Sequence, residues 1–185
     1  MNIQFSKVSN IGNESKYANA VLKKGRRSNA SEASRFEQSF VQYVDGEYAD
    51  ITRSSNAALH NAVEAAGIGP DDKVLVPTRT FISSVDVLLE IGADPVFFDV
   101  DCNTGIVSPF ILNKALKDHP DVKAIILVNN AEQAEQMKVV GGEGILDLCQ
   151  RFNIKIIEEA THQFPTKIGD LFLGSSFGDI TNLEL

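Results

Sequence analysis

From Ala49 onward the sequence alternates short apolar runs with amphipathic stretches, and no other feature limits the possible folds as much. A short apolar segment near Ala49–Thr52 leads into a helical Ala57–Ala66, which Gly67 stops. Lys73–Val76 reads as a strand ended by Pro77, and Phe81–Ile91 as a helix ended by Gly92. Pro95–Val100, with Val96, Phe97 and Phe98, has strand character, and a helix is expected near Pro109–Lys117. A strand over Val122–Val128, a helix over Ile145–Phe152 and a strand over Lys155–Glu158 complete the series. Strands that start 22 to 33 residues apart with helices between them are βαβ units. The fold class is therefore α/β, a mostly parallel sheet with helices on both faces.

The first thirty residues differ from the rest. They form a polar N-terminal arm with a first helix and a basic run at Lys23-Lys24-Gly25-Arg26-Arg27, which is expected to be solvated surface. Residues 31–185 are expected to make the α/β domain. Ser31 is a suitable N-cap, and Phe36, Phe40 and Tyr43 then recur at helical spacing, a stripe expected to pack into the core. A net charge of −8 from 17 basic and 25 acidic residues leaves no footprint for nucleic acid and disfavours an anionic membrane surface. No apolar run approaches the ~18 residues of a membrane span, and Met1–Lys7 lacks a signal peptide's apolar stretch, so a cytoplasmic protein is expected. Cys102 and Cys149 lack companions at ligand spacing and are expected to be reduced, buried thiols.

In sheets of this kind ligands gather beyond the carboxyl ends of the strands. No G-x-G-x-x-G follows the first strand and no G-x-x-x-x-G-K-[ST] occurs, which argues against dinucleotide and P-loop sites. Arg53-Ser54-Ser55-Asn56 stands between a strand and a helix, where free amides and hydroxyls make an anion site, or where Ser55 or Asn56 simply caps the helix. Glu158-Glu159 ends an apolar strand with His162 three residues on. Adjacent carboxylates on a strand face opposite ways, so one of them can face the ligand crevice.

Six segments, in order, carry a resemblance. Ser54-Ser55-Asn56-Ala57-Ala58-Leu59-His60 resembles the S-G-T-A-A-L-H turn of the DegT-type nucleotide-sugar aminotransferases, which use pyridoxal phosphate. Gly67-Ile68-Gly69-Pro70-Asp71-Asp72-Lys73-Val74 is similar to that family's G-I-G-P-G-D-E-V, and Pro77-Thr78-Arg79-Thr80-Phe81 to its P-x-x-T-F. Gly92–Asp101 resembles G-A-x-P-V-F-x-D-V-D, Ile157–His162 resembles I-E-D-A-A-[QH], and Gly174–Ile180 resembles G-S-F-G-D-I with one insertion. The resemblance implies the large domain of a fold-type I transferase, incomplete at its C-terminal side. It also implies transfer of an amino group from glutamate to a keto-sugar nucleotide. Ser55 and Asn56 match the phosphate-binding positions, Phe81 the aromatic that stacks on the cofactor ring, Glu159 the carboxylate at the ring nitrogen, and His162 the ring-oxygen contact.

The departures from the family pattern carry expectations of their own. Glu159 is one methylene longer than the family's Asp, so it must retract or push the ring. Ser55 replaces a glycine that lets the backbone approach the phosphate. Asn129-Asn130-Ala131 stands where the family has His and an aromatic, and Glu184 where it has a phosphate-contacting serine. Arg53 and Glu184 would then meet in the phosphate pocket and close it. The family's Schiff-base lysine falls beyond Leu185, so the chain alone is expected not to transaminate. The alternatives are a degenerate, non-catalytic relative that binds a small molecule or a partner protein, and a nucleotide-binding regulatory domain. A homodimer is expected, because family active sites lie at a two-fold interface. The first strand is expected either to pair with Asp179–Leu185 or to stand as an unpaired edge.

Overall fold

The computed structural model describes residues 12–23, 31–128, 137–139, 142–161, 167–168, 171–172 and 178–183. Two helices lead the chain, α1 (Glu14–Lys23) and α2 (Ser31–Val44), followed by α3 (Ser55–Ala65). The units β1 (Lys73–Pro77), α4 (Ile82–Glu90), β2 (Asp94–Phe98), α5 (Pro109–Asp118), β3 (Val122–Val128), α6 (Ile145–Phe152) and β4 (Lys155–Glu159) come next. Short strands β5 (Lys167–Ile168) and β6 (Leu171–Phe172) form an antiparallel pair, and β7 (Ile180–Asn182) closes the described chain.

The main sheet has five strands in the order β2-β1-β3-β4-β7, and every neighbouring pair is parallel. The chain steps outward from β1 to β2 and then returns to β3 on the other side of β1. That reversal makes the gap between the carboxyl ends of β1 and β3 the natural ligand crevice. β3 reads as a continuous apolar run because both of its faces are covered; only Lys123 in it is exposed. On one face α3 and α4 pack through Leu59, Val63, Val87 and Leu88 onto Val74, Val76, Ile126 and Ile157. On the other, α5 and α6 pack through Leu112, Leu116 and Leu148 onto Leu75, Ile125, Leu127 and Ile156. Each fully buried Leu, Ile or Val contributes about 1.5–3 kcal/mol.

Local signals set the ends of the elements. Gly67 and Gly92 stop α3 and α4 at φ +77, and Asn153 ends α6 at φ 56. Ser108 caps α5, and Pro109 takes the first helical position, where its missing N–H costs nothing. Asp71 takes φ 65 where the resembled motif has glycine.

The structure corrects four expectations. Ala49–Thr52 is not a strand: the Ile51 N–H donates to the Glu37 side chain on α2 (3.2 Å) instead of to a ladder. Only Ile51 and Thr52 there have strand propensity, too little to hold an edge. The terminal segment consequently does not pair with it, and β7 runs parallel to β4. The α2 stripe is not core. Phe36 and Phe40 stack on each other with centroids 5.7 Å apart, while Phe36 and Tyr43 stay exposed at 44% and 56%. Cys102 is exposed, because it lies in the turn after β2; Cys149 is buried as expected. The remaining differences are shifts of one or two residues, such as β2 beginning at Asp94 and α3 at Ser55. Among the described residues no helix is long and apolar enough to cross a membrane.

Candidate functional site

The carboxyl ends of β1, β3, β4 and β7 meet the N-termini of α3 and α4 at one edge of the sheet. Ser54 is the N-cap of α3. Its Oγ accepts from the Ala57 N–H (3.2 Å), and its carbonyl accepts from the Ala58 N–H (3.0 Å) and the Thr52 hydroxyl (2.9 Å). The capping function expected of Ser55 or Asn56 is thus already taken. What remains are the amides of Ser55 and Asn56, the first two of the helix, for which the helix supplies no acceptor. Together with the positive end of the helix dipole they suit an anion.

Ser55 carries its hydroxyl toward β7, where Oγ accepts from Asn182 Nδ2 at 3.0 Å. Asn182 is 1% exposed, and its carbonyl accepts from the Ala160 N–H (2.9 Å) at the end of β4. The ladder sets Asn182 beside Glu159. Ladder neighbours share a face, so Ser55, Asn182 and Glu159 converge on the α3/α4 side of the sheet.

Glu159 is buried, on the same face as Ile157; Glu158 lies with Ile156 on the opposite face, as strand alternation requires. Glu159 Oε2 accepts from the Ser84 hydroxyl at 2.5 Å, and Ser84 Oγ in turn accepts from the Thr80 hydroxyl at 2.7 Å. A hydroxyl has one proton to give. The Thr80 proton is committed to Ser84 and the Ser84 proton to Glu159, so the chain of bonds points toward the carboxylate. Ser84 thus ties the Glu159 carboxylate to α4. Phe81 stands at the N-cap position of α4, 69% exposed, and its carbonyl accepts from the Ser84 N–H (3.1 Å). The loop that carries Phe81 is clasped from the side by Arg79 Nη1, which donates to the Gly105 carbonyl at 3.1 Å. Gly105 sits at φ +71, and a Cβ there would run into the Arg79 guanidinium. The Gly105 loop is preformed by Asp101, whose carboxylate accepts from the Thr104 and Asn103 amides, bonds that hold its pKa below the ordinary value.

Of the residues singled out from sequence, Ser55, Phe81 and Glu159 come together through Asn182 and Ser84. Asn56 lies exposed at the same helix N-terminus. His162, Asn129-Asn130-Ala131 and Glu184 lie outside the described residues, as does any contact of Glu184 with Arg53. Sequence reasoning missed Thr80, Ser84 and Asn182. The spacing of Thr80 and Ser84, four apart across a helix start in an apolar stretch, was the available signal; Asn182 offered none.

A groove of about 730 Å³ at the opposite edge, lined by Lys123, Cys149, Asn153, Lys155 and Asp179, holds none of these groups. Burial, with Asp179 adding to it, pushes the Cys149 thiol up to about 12, so it is inert. Among the described residues no group of three or more His, Cys, Asp or Glu side chains is placed to hold a metal ion.

A parallel sheet covered on both faces, with two helix N-termini and a buried carboxylate at its carboxyl edge, has the architecture of the pyridoxal-phosphate-dependent aminotransferase fold. The chain belongs to the DegT/DnrJ/EryC1/StrS aminotransferase family, whose profile matches residues 9–183. It is 33% identical over 160 residues to the spore coat polysaccharide biosynthesis protein SpsC of Bacillus subtilis (strain 168), covering 86% of this chain and 39% of SpsC. Among solved structures, the aminotransferase from Psychrobacter cryohalolentis superposes with a TM-score of 0.81 at 30% identity, over 92% of this chain and 42% of that one. A sugar aminotransferase, Spr1654 from Streptococcus pneumoniae in its PLP form, shares the fold with a TM-score of 0.81 at 23% identity, over 97% of this chain and 47% of its own. The chain thus spans less than half the length of these relatives.

Proposed function

We propose that this chain is the cofactor-binding part of a pyridoxal-phosphate-dependent aminotransferase that moves an amino group from glutamate to a keto-sugar nucleotide. The observation that carries the reading is the convergence of the α3 N-terminus, Phe81 and Glu159 on one edge of the sheet. The residues present fit the group. Two orphaned helix amides suit a phosphate, an exposed aromatic at a helix start suits a ring face, and a buried carboxylate suits a protonated ring nitrogen. When bound, pyridoxal phosphate supplies an electron sink. Ser55 and Asn56 would hold its phosphate, Phe81 would cover the ring, Glu159 would hold the proton on the ring nitrogen, and His162, outside the described residues, would contact the ring oxygen. Ser84 and Thr80 keep the Glu159 carboxylate turned toward α4.

The lysines described in strands of the main sheet, Lys73, Lys123 and Lys155, lie at its opposite edge in ion pairs. None of these three is proposed as a covalent partner, and the 185-residue chain is proposed to bind the cofactor without a covalent link and not to transaminate by itself. Residues 31–185 form the domain that does this, with residues 1–30 as an arm. The exposed Phe36 and Tyr43 on α2 supply an apolar face for a second copy in a homodimer. A second reading, a non-catalytic binder on the same scaffold, is favoured by Ser55 and Glu159, which differ from the family pattern and are both engaged by neighbouring side chains.

The test is an absorbance titration of the chain with pyridoxal phosphate, with and without borohydride. The expected result is saturable binding, lost in Glu159→Ala and weakened in Phe81→Ala, with no cofactor fixed to the chain on reduction. No saturable change would contradict the first reading and leave the second.

A further inference from the structure

Asn182 is a buried polar side chain at this edge that the family pattern does not explain. It is 1% exposed, one end of its amide is spent on Ser55, and the other end, Oδ1, is buried without a partner among the described residues. A buried amide end left unpaired is uncommon enough to require a reason. It also hydrogen-bonds Ser55, the first residue of α3, where the amides of Ser55 and Asn56 have no acceptor within the helix.

We propose that Asn182 is a direct ligand of the phosphate group bound at the N-terminus of α3, with the Ser55 hydroxyl as its pivot. A hydroxyl accepts as readily as it donates. Turning the Asn182 amide over therefore preserves the bond to Ser55, now with Oγ–H donating to Oδ1, and exchanges the orphaned acceptor for an orphaned N–H donor. Without an anion, the amide donates to Ser55; with an anion, it donates to the phosphate, beside the two helix amides. Serine at position 55 is what makes this possible, since a glycine offers no pivot. Ser55 and Asn182 are thus one device: the hydroxyl that departs from the family's glycine recruits a third donor from β7. The proposal rests on the reading of this edge as a phosphate site, and the experiment separates the two.

The experiment is a titration of the uniformly ¹⁵N-labelled 185-residue chain with inorganic phosphate, following the Asn182 side-chain NH₂ pair and the Ser55 and Asn56 backbone amides. The expected result is that all three move along one saturation curve. Asn182→Leu should weaken phosphate binding by about tenfold or more, and Asn182→Asp, which places a charge against the anion, by more than that. Ser55→Gly should leave the backbone amides responsive and remove the response of the Asn182 pair. Movement of the Ser55 and Asn56 amides with a silent Asn182 pair overturns the proposal and leaves the phosphate site standing. Silence at all three overturns both. The wild-type spectra decide the matter even where a variant fails to fold, and unchanged affinity in a folded Asn182→Leu, checked by circular dichroism, overturns the proposal as well.

Discussion

The two edges of the same parallel sheet are built on opposite principles. At the amino edge, where the strands begin, polar groups are exposed and paired with charge. Lys73 meets Asp121 at 2.6 Å, Lys123 meets Asp72 at 2.5 Å, and Lys155 meets Asp179 at 2.8 Å. Each pair joins the start of one strand to a neighbouring strand or turn. At the carboxyl edge the polar groups are buried and neutral partners serve them: Ser84 for Glu159, Ser55 for Asn182. Exposed pairs at the amino edge secure strand register at little cost. Buried groups at the carboxyl edge carry the cost of desolvation, and a protein keeps such groups where a ligand completes them.

The comparison breaks most sharply at Ser84. Ser84→Ala removes the donor to a buried carboxylate without adding atoms, so it should cost about 2–3 kcal/mol, read as a lower urea midpoint at unchanged slope. Asp179→Ala at the other edge should cost about 1 kcal/mol, because it removes a half-exposed pair and the bond from the Ile156 N–H (2.8 Å). If the two costs proved equal, the contrast between the edges would fail.

Acidity sharpens the same contrast. Desolvation raises the Asp179 pKa, but the Ile156 amide and Lys155 outweigh it and hold the carboxyl below the ordinary 3.8. The hydrogen bond to Lys123 lowers Asp72 from 3.8, and that to Lys73 lowers Asp121 from 3.8. A carboxyl depressed in the folded state stabilises above its unfolded pKa, and that contribution disappears as pH falls through the folded value. The amino edge should therefore weaken only below about pH 4. Lys73, raised above 10.5 by its bond to Asp121, loses its contribution only as pH rises through that raised value. Urea midpoints measured across pH 2–11 check both limits. The smallest effect is expected at Asp71, which carries a side chain at φ 65 in the turn before β1. Asp71→Gly should stabilise the chain by about 0.5 kcal/mol in the same assay.

Much of this architecture is legible in the sequence, for reasons that differ element by element. β3 announces itself because a strand covered on both faces is almost continuously apolar, and Gly67 and Gly92 mark helix ends because those turns need positive φ. The opposite orientation of Glu158 and Glu159 follows from strand alternation alone. Ala49–Thr52 misleads because a strand exists only through its neighbour, and the Ile51 amide finds the Glu37 carboxylate instead. The supporting residues of the site are harder still. A serine such as Ser84 looks the same in sequence whether it faces water or a buried carboxylate, and Asn182 acquires its meaning only when β7 is laid beside β4.

On the proposed function, the carboxyl edge and not the amino edge receives pyridoxal phosphate. Amide hydrogen exchange of the 185-residue chain with and without the cofactor tests it residue by residue. Slowed exchange is expected at residues 55–58, 81–84 and 159–160, and unchanged exchange at residues 72–75, 121–124 and 155–156. Protection at the amino edge, or at neither edge with saturating cofactor, would contradict it.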